Sequence, residues 1–164
     1  MNPIAVIRAV AGWTQSRLAS RAGTSQPTIA AYEAGAKSPA WRTIERVARA
    51  ADLACYPWAG PPLTREQERS LALHHAIAAE LMADYRTVTS RAADNIARMR
   101  AANPGAAMLV EEWERILHRP ASQIVSTMLD PSEHGRELRQ VTPFAGVLTP
   151  GRRAKVYAAF RRAA

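Results

Sequence analysis

Residues 14–35 read TQSRLASRAGTSQPTIAAYEAG, and a short helix, a three-residue turn and a second short helix account for nearly all of it. Thr14 can cap the first helix, whose inward residues are Leu18, Ala19 and Ala22, and the helix stops at Gly23. Thr24 or Ser25 caps the second, with Pro27 in the first turn, where a missing N–H does no harm. Ile29 and either Tyr32 or Glu33 then face inward until Gly35 ends the helix. Ala19, Ala22 and Gly23 are small enough to let the two helices approach closely at a steep angle.

The flanking sequence extends this pattern in both directions. Asn2 and Pro3 suit an N-cap and first helical position, and Ile4, Ile7 and Val10 or Ala11 repeat at helical spacing up to Gly12. Trp13 packs ahead of the next helix in the manner of a hydrophobic staple. A fourth helix is expected from about Trp41 to Ala51, with Trp41, Ile44, Val47 and Ala48 as one apolar stripe. The following DLACYPWAGPPLT, residues 52–64, carries three prolines and a glycine and cannot hold a regular helix. A domain of residues 1–53, a semi-rigid connection of 54–63 and a second domain of 64–164 follow. Tyr56 and Trp58 are expected to pack that connection against one of the halves.

Beyond it every segment is helical in pattern. Thr64-Arg65-Glu66-Gln67 has the capping-box order and starts a helix to about Ala83, with Leu71, Ile77, Ala78 and Leu81 inward. A more polar helix runs from Tyr85 to Ala102 and ends at Asn103-Pro104-Gly105. Met108, Leu109, Trp113, Ile116 and Leu117 mark a third, closed by Pro120. Shorter helices are expected at 122–129 and 132–140, and Thr149-Pro150 caps a last one. The fold class is all-α: a four- to five-helix unit followed by a helical bundle.

The 164 residues hold 22 Lys and Arg against 14 Asp and Glu, which points to a polyanionic partner. Residues 1–60 carry seven basic and three acidic groups, and 144–164 carry Arg152, Arg153, Lys155, Arg161 and Arg162 with no acid. One cysteine, Cys55, leaves no intrachain disulfide to form. The opening MNPIAVIRAVAGWTQ turns polar too soon for a secretory signal, and no apolar run is long enough to span a bilayer. A cytoplasmic, nucleoid-associated protein with no membrane partner is expected.

Helix, turn, helix is the arrangement that lays its second helix in the DNA major groove while the first braces it across the backbone. The stretch WTQSRLASRAGTSQPTIAAYEAGAKSP, residues 13–39, resembles the Cro and phage-repressor type of helix-turn-helix domain, the XRE family. Thr14-Gln15, Leu18-Ala19, Gly23, Ser25, Thr28-Ile29, Glu33, Gly35 and Pro39 match it in order and spacing. The resemblance covers residues 3 to 53. It implies that 26–33 is the recognition helix, with Gln26 and Thr28 toward base edges and Ser25, Pro27 and Ala31 beside them. Gln can pair with adenine in two places, and an alanine or threonine methyl can pack on that of thymine. Gln15 would bind phosphate together with the amides of its helix N-terminus, and Lys37 and Arg42 would contact the DNA backbone. Thr24 stands where the family has an aliphatic residue, and Ala30 and Ala31 replace larger polar groups, so sequence readout is expected to be modest. A single such domain buries little surface, and the resemblance implies a homodimer on a palindromic double-stranded operator.

No catalytic residue, cofactor or metal site is expected. His74 and His75 are adjacent and point about 100° apart on a helix, and His118 and His134 lie in other segments. No cysteine pair, phosphate-binding glycine loop or nucleophile elbow occurs. Glu111, Glu112 and Glu114 read as a solvated helix face.

The hundred residues after the first domain imply a second task. In 137–162, TPFAGVL presents Phe144, Val147 and Leu148 in a loop, and the last helix sets Val156, Tyr157 and Phe160 on one side. Phe144, Val147, Leu148, Tyr157 and Phe160 either close the bundle or form a partner-binding surface. This tail is similar to those of helix-turn-helix proteins of high-GC actinobacteria encoded beside toxin genes, often nucleotidyltransferase-like. That resemblance implies the antitoxin of a type II toxin–antitoxin module, which represses its own operon and masks a cognate toxin with the C-terminal bundle. A free-standing regulator whose second domain dimerises or senses a ligand, and an interaction protein without DNA binding, are the other readings.

Overall fold

A computed structural model of the chain describes residues 2–56, 59–102 and 104–162, with only the backbone for Ala159, Arg161 and Arg162. Trp58 and Asn103, expected in the connection and in a turn, lie outside the described residues, as do the Arg161 and Arg162 side chains. Every regular element among the described residues is helical, and the chain divides into two compact units, Met1–Pro61 and Pro62–Ala164.

The first unit holds α1 (Pro3–Ala11), α2 (Gln15–Arg21), α3 (Gln26–Glu33) and α4 (Trp41–Ala50). Three of the four start on a side-chain cap. Asn2 accepts from the amides of Ile4 and Ala5, Thr14 from Arg17, and Ser25 from Thr28. Such caps satisfy N–H groups that have no partner inside the helix, typically for about 1 kcal/mol each. Helices this short have little stability of their own, so packing must hold them. Ile4, Leu18, Ile29 and Val47, one from each helix, are wholly buried and form the centre of the core with Ile7, Ala19 and Ala48 around them. Trp13 packs on its edge, as do Tyr32, Leu53 and Cys55. Burial and the nearby Glu45 carboxylate push the Cys55 thiol pKa up, which leaves it a packing residue. Trp41 departs from the expected stripe. It is the first residue of α4, one turn before Ile44, and stays 41% exposed. The connection also departs from expectation: Leu53 and Cys55 pack on the first unit, whereas Tyr56 stands exposed.

The second unit is built around α5 (Arg65–Ala83), which touches α6 (Tyr85–Ala102), α8 (Ala121–Met128), α9 (Glu133–Gln140) and α10 (Pro150–Arg162). A 3-10 turn, Pro104–Ala106, leads into α7 (Ala107–Leu117), which packs on α6, α8 and α9. The capping box of α5 is complete. Thr64 Oγ1 accepts from the Gln67 amide at 3.3 Å and Gln67 Oε1 from the Thr64 amide at 2.8 Å. Leu71, Ile77, Ala78 and Leu81 are buried as their spacing predicts, and Trp113, Ile124, Met128 and Leu138 complete the core. Met108 does not join them. It lies in the first turn of α7 and is 83% exposed, because the buried face of that helix begins at Val110.

Phe144 belongs to this core, not to a surface. It is 1% exposed, and its ring meets Trp113 edge-on with centroids 5.3 Å apart. The loop that carries it is tied to α6: Asn95 Nδ2 donates to the carbonyls of Pro143 at 2.6 Å and Ala145 at 3.0 Å, and Arg91 donates to that of Gly146. Val147 and Leu148 remain half-buried.

Candidate nucleic-acid interface

The turn between α2 and α3 is made by Ala22, Gly23 and Thr24. Gly23 sits at φ +61°, a left-handed conformation that a side chain would strain, and the Thr24 amide returns to the Ala19 carbonyl at 2.9 Å. Arg46 of α4 donates to the Ala22 carbonyl from the other side. Both helices are anchored beneath, α2 by Leu18 and Ala19 and α3 by Ile29. Thr24 is half-buried in the place where an aliphatic residue was expected.

On α3, Gln26 and Pro27 are exposed and Thr28 and Ala31 half-buried. Ser25 and Thr28 share a hydroxyl–hydroxyl bond of 2.9 Å in addition to the cap, so the first turn is closed by its own side chains. That turn contains no acidic residue, and the helix N-terminus favours an anion nearby.

A chain of polar contacts sets the relation of α3 to α2 and α1. Arg8 grips Glu33 with Nε at 2.7 Å and Nη2 at 3.1 Å. Gln15 Nε2 donates to the same carboxylate at 2.9 Å, and Gln15 Oε1 accepts from Gln26 Nε2 at 2.7 Å. Gln15 therefore commits its carbonyl and one amide hydrogen within the unit. What it retains for a phosphate is its second amide hydrogen and the backbone N–H groups of the α2 first turn.

Lys37 and Arg42 are exposed after α3 and in the first turn of α4, and neither forms an ion pair among the described residues. The basic surface is larger than these two. Arg17 and Arg21 of α2 lie over the Trp13 ring, 4.8 and 5.8 Å from its centroid. Their four-residue spacing, with Trp13 four residues ahead of Arg17, was the available signal.

Among the described residues no three His, Cys, Asp or Glu side chains are grouped to hold a metal ion. The acidic run on α7 is engaged in pairs and not merely solvated: Glu112 bonds His134 at 2.8 Å, which raises the pKa of that imidazole, and Glu114 pairs with Arg100. No helix among the described residues is long and apolar enough to cross a membrane.

Of the candidate partner-binding residues, Tyr157 and Phe160 of α10 are half-buried, each beside an arginine of α5: Arg69 lies 5.9 Å from the Tyr157 ring centroid and Arg65 5.8 Å from that of Phe160.

No curated protein and no solved structure matches the chain. A family model described as a helix-turn-helix domain matches residues 4–54, which take in the four helices of the first unit except Pro3 at the start of α1. The chain is thus an all-α protein that carries an N-terminal helix-turn-helix domain of the DNA-binding kind.

Proposed function

We propose that the chain is a sequence-specific transcriptional repressor of the XRE type that docks α3 in the major groove and binds a palindromic operator as a homodimer. The observation that carries this reading is the first turn of α3, where Gln26, Pro27 and Thr28 stand outward from a helix braced by α2 and held in orientation through Gln15 and Glu33. Gln26 and Thr28, with the Ala31 methyl, read base edges; Ser25, the amides of α2, Lys37 and Arg42 hold phosphates. The bond from Gln26 to Gln15 fixes the amide before DNA arrives, which lowers the ordering cost of binding.

The test is fluorescence anisotropy of the full chain on the DNA upstream of its own gene and on a shuffled duplex. Affinity for both should fall steeply with salt. Replacing Gln26 and Thr28 by Ala should reduce the preference for the native sequence by about 1–3 kcal/mol, whereas Arg42→Gln should weaken both duplexes alike. A protein with no salt-dependent affinity for either duplex would not be a DNA-binding regulator.

Within this reading the second unit makes the chain the antitoxin of a type II module. The resemblance of its tail to proteins encoded beside toxin genes supports this, with Val147 and Leu148 of the loop and Tyr157 and Phe160 of α10 as the contact set, while Phe144 of the same loop is buried in the core. Co-purification of the full chain with the product of the adjacent gene tests it. Absence of a complex would favour the free-standing regulator.

A further inference from the structure

A cleft of about 570 Å³ opens within the second unit among α5, α9 and α10, and its lining is unusually basic. Arg69, Arg136, Arg139 and Arg153 all border it, against one carboxylate, Glu66, which Arg69 already holds at 2.8 Å. Three guanidinium groups thus face the cleft with no ion pair among the described residues.

Arg139 is the decisive one. It is only 4% exposed, and its Nη1 donates to the carbonyls of Met128 and Asp130, while the buried Nη2 has no hydrogen-bond partner among the described residues. Burial disfavours its charge, the Asp130 carboxylate favours it without reaching it as an ion pair, and Arg136 opposes it, so the direct hydrogen bonds of this guanidinium go to neutral carbonyls and one of its nitrogens is left over. The remaining lining offers neutral hydrogen-bonding groups. His74 donates Nδ1–H to the Ser70 carbonyl at 2.8 Å and its Nε2 lies 2.9 Å from Thr142 Oγ1, and burial holds its pKa down at about 4, so near neutral pH it is an uncharged imidazole. Tyr157 stands between Arg69 and Arg153, whose guanidinium groups lie 5.9 and 5.8 Å from its ring centroid, and its hydroxyl accepts from Arg153 Nε at 3.3 Å.

We propose that this cleft binds a phosphorylated small molecule of nucleotide size, its phosphates held by Arg136, Arg139 and Arg153. Arginine suits phosphate because its planar fork offers paired donors, and the volume falls in the range of small-ligand sites. The proposal is independent of how the first unit meets DNA and of the antitoxin reading.

Isothermal titration calorimetry of the full chain at constant ionic strength tests it, with pyrophosphate, ADP and the single-stranded octanucleotide dT8 as probes. Pyrophosphate or ADP should bind saturably at one site per chain. Arg136→Gln and Arg153→Gln should each weaken that binding about tenfold or more, the loss typical of one charge-assisted hydrogen bond, with no change in thermal unfolding of the free protein. Arg139 is left in place because it also ties two carbonyls of the fold. Absence of saturable binding by both small probes, or affinities unchanged in both variants, overturns the proposal. So does tight dT8 binding that depends on the same arginines while the small probes fail, since the cleft would then be a nucleic-acid surface.

Discussion

Arg8 and Glu33 lie 25 residues apart in sequence and form a two-pronged ion pair, 2.7 and 3.1 Å, between α1 and the last residue of α3. The same carboxylate receives Gln15 from α2, so three of the four helices of the first unit converge on one side chain. Glu33→Ala leaves a half-buried guanidinium and an amide donor without their acceptor. The expected loss is about 2 kcal/mol in the first unit, and Glu33→Gln, which keeps one acceptor oxygen, should lose less. Hydrogen exchange of the α1 and α3 amides in the full chain checks this locally. Exchange unchanged in Glu33→Ala would mean that the apolar core alone sets the helix arrangement.

Phe144→Ala removes the ring that closes on Trp113 at 5.3 Å in the core of the second unit. A cavity of that kind costs about 3–5 kcal/mol. Trp113 should also loosen, although its Nε1 remains bonded to the Leu138 carbonyl at 2.8 Å. Urea unfolding followed by near-ultraviolet circular dichroism measures the effect. A variant of native stability that loses a protein partner would instead return Phe144 to the surface role that its loop first implied.

The contrast between Phe144 and the helix caps shows what the chain discloses locally. Asn2, Thr14, Ser25 and Thr64 could be placed because a cap depends on amides two or three residues away. Ile7, Leu18, Ile29 and Leu71 were legible for a similar reason, as each sits within the apolar stripe of its helix. Trp41 and Met108 share the right spacing but fall in first turns, and periodicity does not say how far a neighbouring helix covers a stripe. Phe144 and Arg139 were hidden because their surroundings come from elements distant in the chain, and α9, read as EHGRELRQ, gives no hint that its arginine is buried. At the candidate interface the exposed residues of α3 were readable by resemblance. The bonds from Glu33 to Gln15 and on to Gln26 were not, since they join three separate segments.

Gly135 lies inside α9, where alanine would normally be the better helix former. Here the space is already taken. A Cβ on Gly135 would clash with the Asp130 carbonyl oxygen and stand 2.8 Å from the Asp130 Cβ. The backbone before α9 must shift to admit it, and Asp130 is also tied to Ser132 at 2.8 Å and to Arg139. Gly135→Ala should therefore destabilise the second unit by about 1–3 kcal/mol. A melting temperature equal to or above that of the parent chain would show that the segment between α8 and α9 yields at little cost.

His74 gives the second unit a dependence on acid. Burial lowers its pKa to about 4, the Ser70 carbonyl opposes that shift, and the charge of Arg139 adds to it. Unfolding returns the imidazole to about 6.5, so between these values the unfolded chain binds a proton that the folded chain refuses. Stability therefore falls as pH drops from about 6.5 toward 4, by roughly 3 kcal/mol over the whole window, and His74 contributes no slope above it. Urea unfolding of the full chain at pH 7.5, 6.0 and 5.0 should trace this loss. His74→Gln keeps polar atoms near Ser70 and Thr142 but cannot take the proton. It should start from a lower stability at pH 7.5, and the acid loss should shrink by the share His74 carries. An equal loss in both proteins would assign the acid dependence to the carboxylates, with His74 protonated in the folded state without cost.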